Sequence, residues 1–183
     1  MHKRVSEALA VIAAGSLGLS AFILPPQARS QETKQLCEVA MLNAKKRIEQ
    51  GRDISVTTDI TNGSDKYSNH PDGRPAIIVI WLDFPGSYGY RGVGSADDGV
   101  GSADDAVSVM ESPGVQRAIA SEIIKSCNSV GAVTFILKQQ PPWATTVGLM
   151  RDCSIQKFEC LLPDELPNDS SLPLRWGKEL CSI

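Results

Sequence analysis

Histidine is almost missing from this chain: His2 and His70 are the only two in 183 residues. Nucleophilic catalysis by serine or cysteine needs a base within hydrogen-bond reach, most often histidine. That leaves His70, in the turn-like His70-Pro71-Asp72-Gly73, as the one candidate base. Cys153 is the thiol it would serve, but a surface histidine beside a turn proline is the plainer reading. Also missing are GxSxG, HExxH, a P-loop and a GxGxxG following a strand. The close CxxC or CxxH pairs of structural zinc do not occur; Cys153 and Cys160 are seven apart with no histidine near them. No catalytic, cofactor-binding or metal-binding residue can be named on these grounds. Basic charge is not in excess, with 18 Lys and Arg against 21 Asp and Glu. No general pull toward nucleic acid or an anionic bilayer follows. Past residue 30, no apolar run is long enough to span a membrane. The remaining composition, 42% apolar and 21% charged, is that of a globular protein with room for one domain.

The first thirty residues read as a secretory signal peptide. Met1-His2-Lys3-Arg4 is basic, residues 8–24 carry no charge, and Pro25-Pro26 ends any helix. Ala28-Arg29-Ser30 places small residues at the positions a signal peptidase reads, before Gln31. The expected mature protein is exported to the periplasm or the exterior and keeps no membrane segment. Cleavage removes Lys3, Arg4, Arg29 and Glu7. It leaves 15 basic against 20 acidic residues, a net of −5, with His70 the single histidine.

Along residues 31–183 the pattern alternates between helix and strand. Cys37, Met41, Ala44 and Ile48 form one apolar stripe, predicting a helix over 32–50 with Gly51 as its stop. Ile54, Val56 and Ile60 predict a half-buried strand over 53–60. Residues 76–82, AIIVIWL, predict a central strand covered on both faces. Gly92–Asp98 reads GVGSADD and is repeated letter for letter over residues 99–105. The Gly/Asp-rich stretch 86–108 is expected to be a mobile surface loop. Ser112 and Pro113 suit the N-cap and first position of a helix. Val115, Ile119, Ile123 and Cys127 continue that helix as a stripe. Strands over 132–137, 143–150 and 155–161, joined by short turns, predict an antiparallel meander. The expected fold is α+β: a mostly antiparallel sheet of about five strands with two helices on one face, stapled by disulfides.

Five cysteines, Cys37, Cys127, Cys153, Cys160 and Cys181, fall in the mature part. An oxidising compartment makes disulfides the default, and two bridges with one free thiol can be drawn in about 15 ways. Cys160–Cys181 would tie the Pro-rich tail to the sheet. Cys37–Cys127 would join two helical stripes, and Cys153 would stay free in its turn, a candidate for a covalent dimer. Cys127–Cys160 is the closest rival pairing. Trp143 and Trp176 are candidates for an exposed ligand platform, whereas Trp81 lies in an apolar run and reads as core. Asp97, Asp98, Asp104 and Asp105 offer carboxylates for calcium, but the EF-hand spacing is missing and a solvated acidic loop is the simpler expectation.

One resemblance emerges over residues 113–181. The helix ending in Ser126-Cys127-Asn128-Ser129-Val130-Gly131-Ala132-Val133-Thr134-Phe135 carries it. So do Trp143 with Val147-Gly148-Leu149-Met150, Lys157-Phe158-Glu159-Cys160, and Leu174-Arg175-Trp176-Gly177 before the last cysteine. Together they resemble a family of small exported cyanobacterial proteins with no established function. Gly51-Arg52-Asp53-Ile54 and His70-Pro71-Asp72-Gly73-Arg74-Pro75 are similar to it as well. The resemblance implies cysteines at the positions of Cys127, Cys160 and Cys181. Cys153 and the GVGSADD duplication depart from the pattern. Two functional expectations remain. The first is a non-enzymatic binding or envelope-associated domain; the second is an exported hydrolase using carboxylate chemistry.

Overall fold

The structure is a computed structural model that describes residues 26–71, 73–84, 100–138, 142–161, 165 and 172–181. Helix α1, Pro26–Glu49, is longer than expected and begins at the proline rather than at residue 32. Proline has no N–H to satisfy in a first turn, so it opens this helix instead of blocking it. Gly51, at φ +72°, supplies the left-handed residue that closes it. Strand β1, Ser55–Asn62, leads through a 3₁₀ turn, Gly63–Asp65, and the short β2, Tyr67–Ser68, to β3, Ala76–Asp83. Helices α2, Val100–Met110, and α3, Pro113–Ser126, follow, then β4, Val130–Leu137, β5, Trp143–Leu149, and β6, Ile155–Lys157. The main sheet runs β1-β3-β4-β5-β6. All its pairs are antiparallel except β3 with β4, which are parallel. Parallel strands need a long crossover, and α2 and α3 supply it.

The strand alternation divides the sheet cleanly. Ile78, Ile80 and Leu82 of β3, Val133, Phe135 and Leu137 of β4, and Val147 of β5 join the same buried cluster as Ala40, Ala44 and Ile48 of α1 and Ile119 and Ile123 of α3. All three helices therefore cover one face, and each large side chain removed from water there contributes roughly 1.5–3 kcal/mol. Ile60 is an exception to the expected β1 face, being 55% exposed. It lines an open cleft beside Cys37, Glu38 and Met41 of α1 instead of packing into the core.

Three sequence expectations change. The described residues hold three α-helices, not two, because residues 100–108 of the expected loop are helical. The second GVGSADD copy runs into Ala106-Val107-Ser108-Val109-Met110, whose Ala106, Val109 and Met110 are buried at the helical spacing of three and four. The first copy lies outside the described residues. Ser112 precedes α3 but makes no side-chain cap; its carbonyl accepts from Gln116 N–H instead. The expected strand 155–161 breaks at Phe158. This ring turns into the protein while Cys160 stays exposed, so the two do not share a face. Strand β7, Glu159–Cys160, leaves the main sheet to pair with β9, Lys178–Glu179, and β8, Leu174–Arg175, pairs with β2.

Two disulfides are present. Cys37–Cys127 joins α1 to the end of α3, with 4.7 Å between Cα atoms; Cys160–Cys181 ties the tail to β7, at 5.4 Å. Cys153 is free and exposed. Among the described residues, no helix is long and apolar enough to cross a membrane.

Candidate functional site

The sheet face opposite the helices carries a second, smaller core. Tyr67, Ile77, Ala132, Phe158 and Trp176 are its buried members. The tail reaches this face because Leu174 N–H donates to the Lys66 carbonyl and Trp176 N–H to the Ser68 carbonyl. The Trp176 indole N–H then donates to the Leu149 carbonyl at 2.9 Å. Tyr67, Phe158 and Trp176 meet edge to face, with centroids 5.1 to 5.6 Å apart. Glycines make the room. A Cβ on Gly148 would lie 2.5 Å from the Phe158 ring, and one on Gly131 would lie 2.5 Å from the Arg74 carbonyl and 3.0 Å from Trp176.

A polar group is sealed beneath these rings. Glu179 is 4% exposed. Its Oε2 accepts from Thr146 N–H at 2.8 Å, while Oε1 finds no partner among the described residues. Burial pushes its carboxyl above the usual range, against the hydrogen bonds from Thr146 and the attraction of Lys157 and Lys66. The Thr146 hydroxyl bonds to that of Thr134 at 3.1 Å. The Tyr67 hydroxyl likewise has no hydrogen-bond partner among the described residues, and burial pushes it up to about 12.

Beside the aromatic group a cleft of about 310 Å³ is lined by Asn69, Met150, Arg151, Arg175 and Trp176. A neighbouring cleft of about 320 Å³ shares Met150, Arg175 and Trp176 and adds Lys157, Glu159 and Lys178. Lys178 is committed to Glu159 at 3.1 Å and Glu165 at 3.3 Å, and both partners raise its pKa, Glu159 first. Arg151 and Arg175 are exposed and make no ion pair with the described residues. The turn that presents Arg151 is tightly built. Met150 N–H donates to the Ser154 carbonyl and Cys153 N–H to the Met150 carbonyl. Asp152 Oδ1 accepts from the Ser154 hydroxyl and N–H, and that hydroxyl above all holds its carboxyl below the usual range. Among the described residues, Cys153 in this turn and Asn69 across the cleft are the two non-glycine residues at positive φ, +65° and +58°. Such conformations are uncommon and persist where surroundings impose them.

The residues expected to matter land as follows. Trp143 belongs with the helical-face core and Trp176 with the opposite one. They therefore lie in separate clusters on opposite faces of the sheet and form no joint platform. Trp176 is 8% exposed and lines the cleft. Trp81 is half-buried under the Lys138 ammonium, 5.4 Å from its ring, instead of in the core. His70 contacts Ser64, the Pro71 carbonyl and the Trp176 ring, not Cys153. Asp104 is exposed, but Asp105 Oδ2 accepts from Asp53 N–H, so it is not a free solvated carboxylate. Asp97 and Asp98 lie outside the described residues. Glu179, Tyr67 and Arg175 escaped the sequence reading. Only the short Glu179-Leu180-Cys181 spacing pointed toward a carboxylate near a bridge. Comparison of the chain with known protein families, curated proteins and solved structures gave no match.

Proposed function

We propose that this chain is an exported, non-enzymatic binding domain that takes a small anionic group, carboxylate or phosphate, in the cleft between Arg151 and Arg175. The observation that carries this reading is two exposed arginines, without an ion pair among the described residues, set around one cleft in a chain of net negative charge. Guanidinium groups present planar forks that match such anions. The Met150 and Trp176 side chains give the cleft an apolar wall. The alternative, carboxylate hydrolysis, requires two acids facing one cleft. Among the described residues, the two clefts beside Trp176 contribute Glu159 alone, and a cleft between α1 and Ile60 contributes Glu38 alone. The binding reading is tested by titrating labelled protein with inorganic phosphate and with a short acidic peptide, following backbone amide shifts. Shifts should centre on Asn69, Arg151 and Arg175. They should vanish in an Arg151→Ala, Arg175→Ala double variant that melts like the parent. Shifts indifferent to that variant would overturn the reading.

Export rests on the basic, apolar, breaker, small-x-small layout of residues 1–30. A cut before Gln31 falls inside α1, yet Ala40, Ala44 and Ile48, its buried residues, all lie beyond the cut. The bridge-bearing core would therefore survive processing. Intact mass of the secreted protein is expected to begin at Gln31; a species keeping residues 8–24 would restore an uncleaved anchor.

A further inference from the structure

The register of β7 and β9 has a chemical outcome. Their parallel pairing sets Cys160 opposite Glu179. A Glu179 carboxylate oxygen and the sulfurs of Cys160 and Cys181 consequently lie within 4.8 Å of one another. Glu179 is more than nine-tenths buried and keeps one oxygen without a donor among the described residues. A buried acceptor in that condition is costly and calls for an explanation. The two bridges also differ in access. Cys160 is exposed and Cys181 half-buried; in the other bridge Cys37 is half-buried and Cys127 is 2% exposed. Of the four bridged cysteines, Cys160 is the exposed one and the most open to a reductant.

We propose that reduction of the Cys160–Cys181 bridge opens a site for a thiophilic divalent cation such as zinc, held by the two cysteine thiolates and the Glu179 carboxylate. The bridge takes two electrons and two protons from a dithiol, which leaves as its own disulfide. The dication then displaces the two thiol protons to solvent. Two sulfurs, one carboxylate oxygen and a water entering at the exposed Cys160 would complete a tetrahedral set. Zinc–sulfur bonds of about 2.3 Å require the sulfurs to separate to roughly 3.8 Å. That movement falls on Cys181, which lies outside β9 beside the exposed Leu180. The inference stands apart from the anion cleft and does not need it.

The test uses the full exported chain with Cys153→Ser, which removes the free thiol. It is reduced with a water-soluble phosphine and titrated with cadmium, then zinc. The expected result is one cadmium per chain with a thiolate-to-metal absorption band, and none in the oxidised protein. The band should be lost in Cys181→Ser. Glu179→Gln, which keeps an acceptor for Thr146 N–H, should bind about 10-fold or more weaker. Alkylation mapping needs no further variant: zinc should protect Cys160 and Cys181, but not Cys37 and Cys127. No binding by the reduced chain, equal affinity in Glu179→Gln, or protection of the wrong pair would each overturn the proposal.

Discussion

Tyr67 and Glu179 show how much can depend on single buried polar atoms. A hydroxyl without a partner loses its water on folding and recovers nothing. Tyr67→Phe is therefore expected to stabilise the protein by about 1 kcal/mol in denaturant unfolding. A loss of similar size would mean that the hydroxyl is engaged with its neighbour Thr146. Glu179 makes a pH prediction. Its native pKa is raised by burial, so the native state keeps this proton longer than the unfolded chain does. Between the ordinary carboxylate value and the higher native one, the unfolded state binds fewer protons, and stability falls as pH rises. Below both values that cost is absent. In the oxidised protein, Glu179→Gln should flatten this part of the stability profile across the weakly acidic range. The same slope in parent and variant would show that Glu179 is not its source.

At the scale of elements, the duplicated heptapeptide is the instructive case. Its second copy opens α2 because Ala106, Val109 and Met110 follow and can be buried. Gln116, itself buried in α3, then donates to the Val109 and Met110 carbonyls and closes the end of α2. Removing either copy yields the same polypeptide, in which GVGSADD still precedes AVSVM. Deletion is expected to leave the melting temperature nearly unchanged. Met110→Ala, by contrast, should cost about 2–5 kcal/mol. A large loss from the deletion and none from Met110→Ala would reverse this account of α2. Arg74 plays a related part for α3: its guanidinium donates to the Ile124 and Val130 carbonyls, at 2.7 and 3.1 Å. It thereby satisfies acceptors at the junction of α3 and β4.

At the scale of the whole molecule, the two bridges staple different distances. Cys37 and Cys127 are 90 residues apart, Cys160 and Cys181 only 21. Chain-entropy reasoning assigns about 4–5 kcal/mol to the first and about 3 kcal/mol to the second. Replacing Cys37 and Cys127 with serine should lower unfolding stability more than replacing Cys160 and Cys181. The opposite order, measured by denaturant midpoints, would place the main constraint in the tail. The helical face and the aromatic face also differ in kind. One is a broad aliphatic core under three helices; the other is a small ring cluster with a carboxylate sealed beneath it and a basic cleft at its edge.

Local periodicities along the chain decide most elements. A 3.6-residue stripe through Met41, Ala44 and Ile48 has one way to hide its apolar side, and so does the unbroken run over residues 76–82. The α+β layering, the helices gathered on one face and the major strands were legible for that reason. Tertiary structure decided what those patterns leave open. Whether residues 100–108 become helix depended on a surface for Val109 and Met110 to cover, and on Gln116 to close the end. Whether the strand at 155–161 stays whole depended on the space that Gly148 leaves for Phe158. Glu179 reaches a disulfide, and Arg151 reaches Arg175, only because the tail returns across the far face of the sheet. Such meetings join residues distant in the chain, through pairings whose free energy comes from faces that fit rather than from neighbours in sequence.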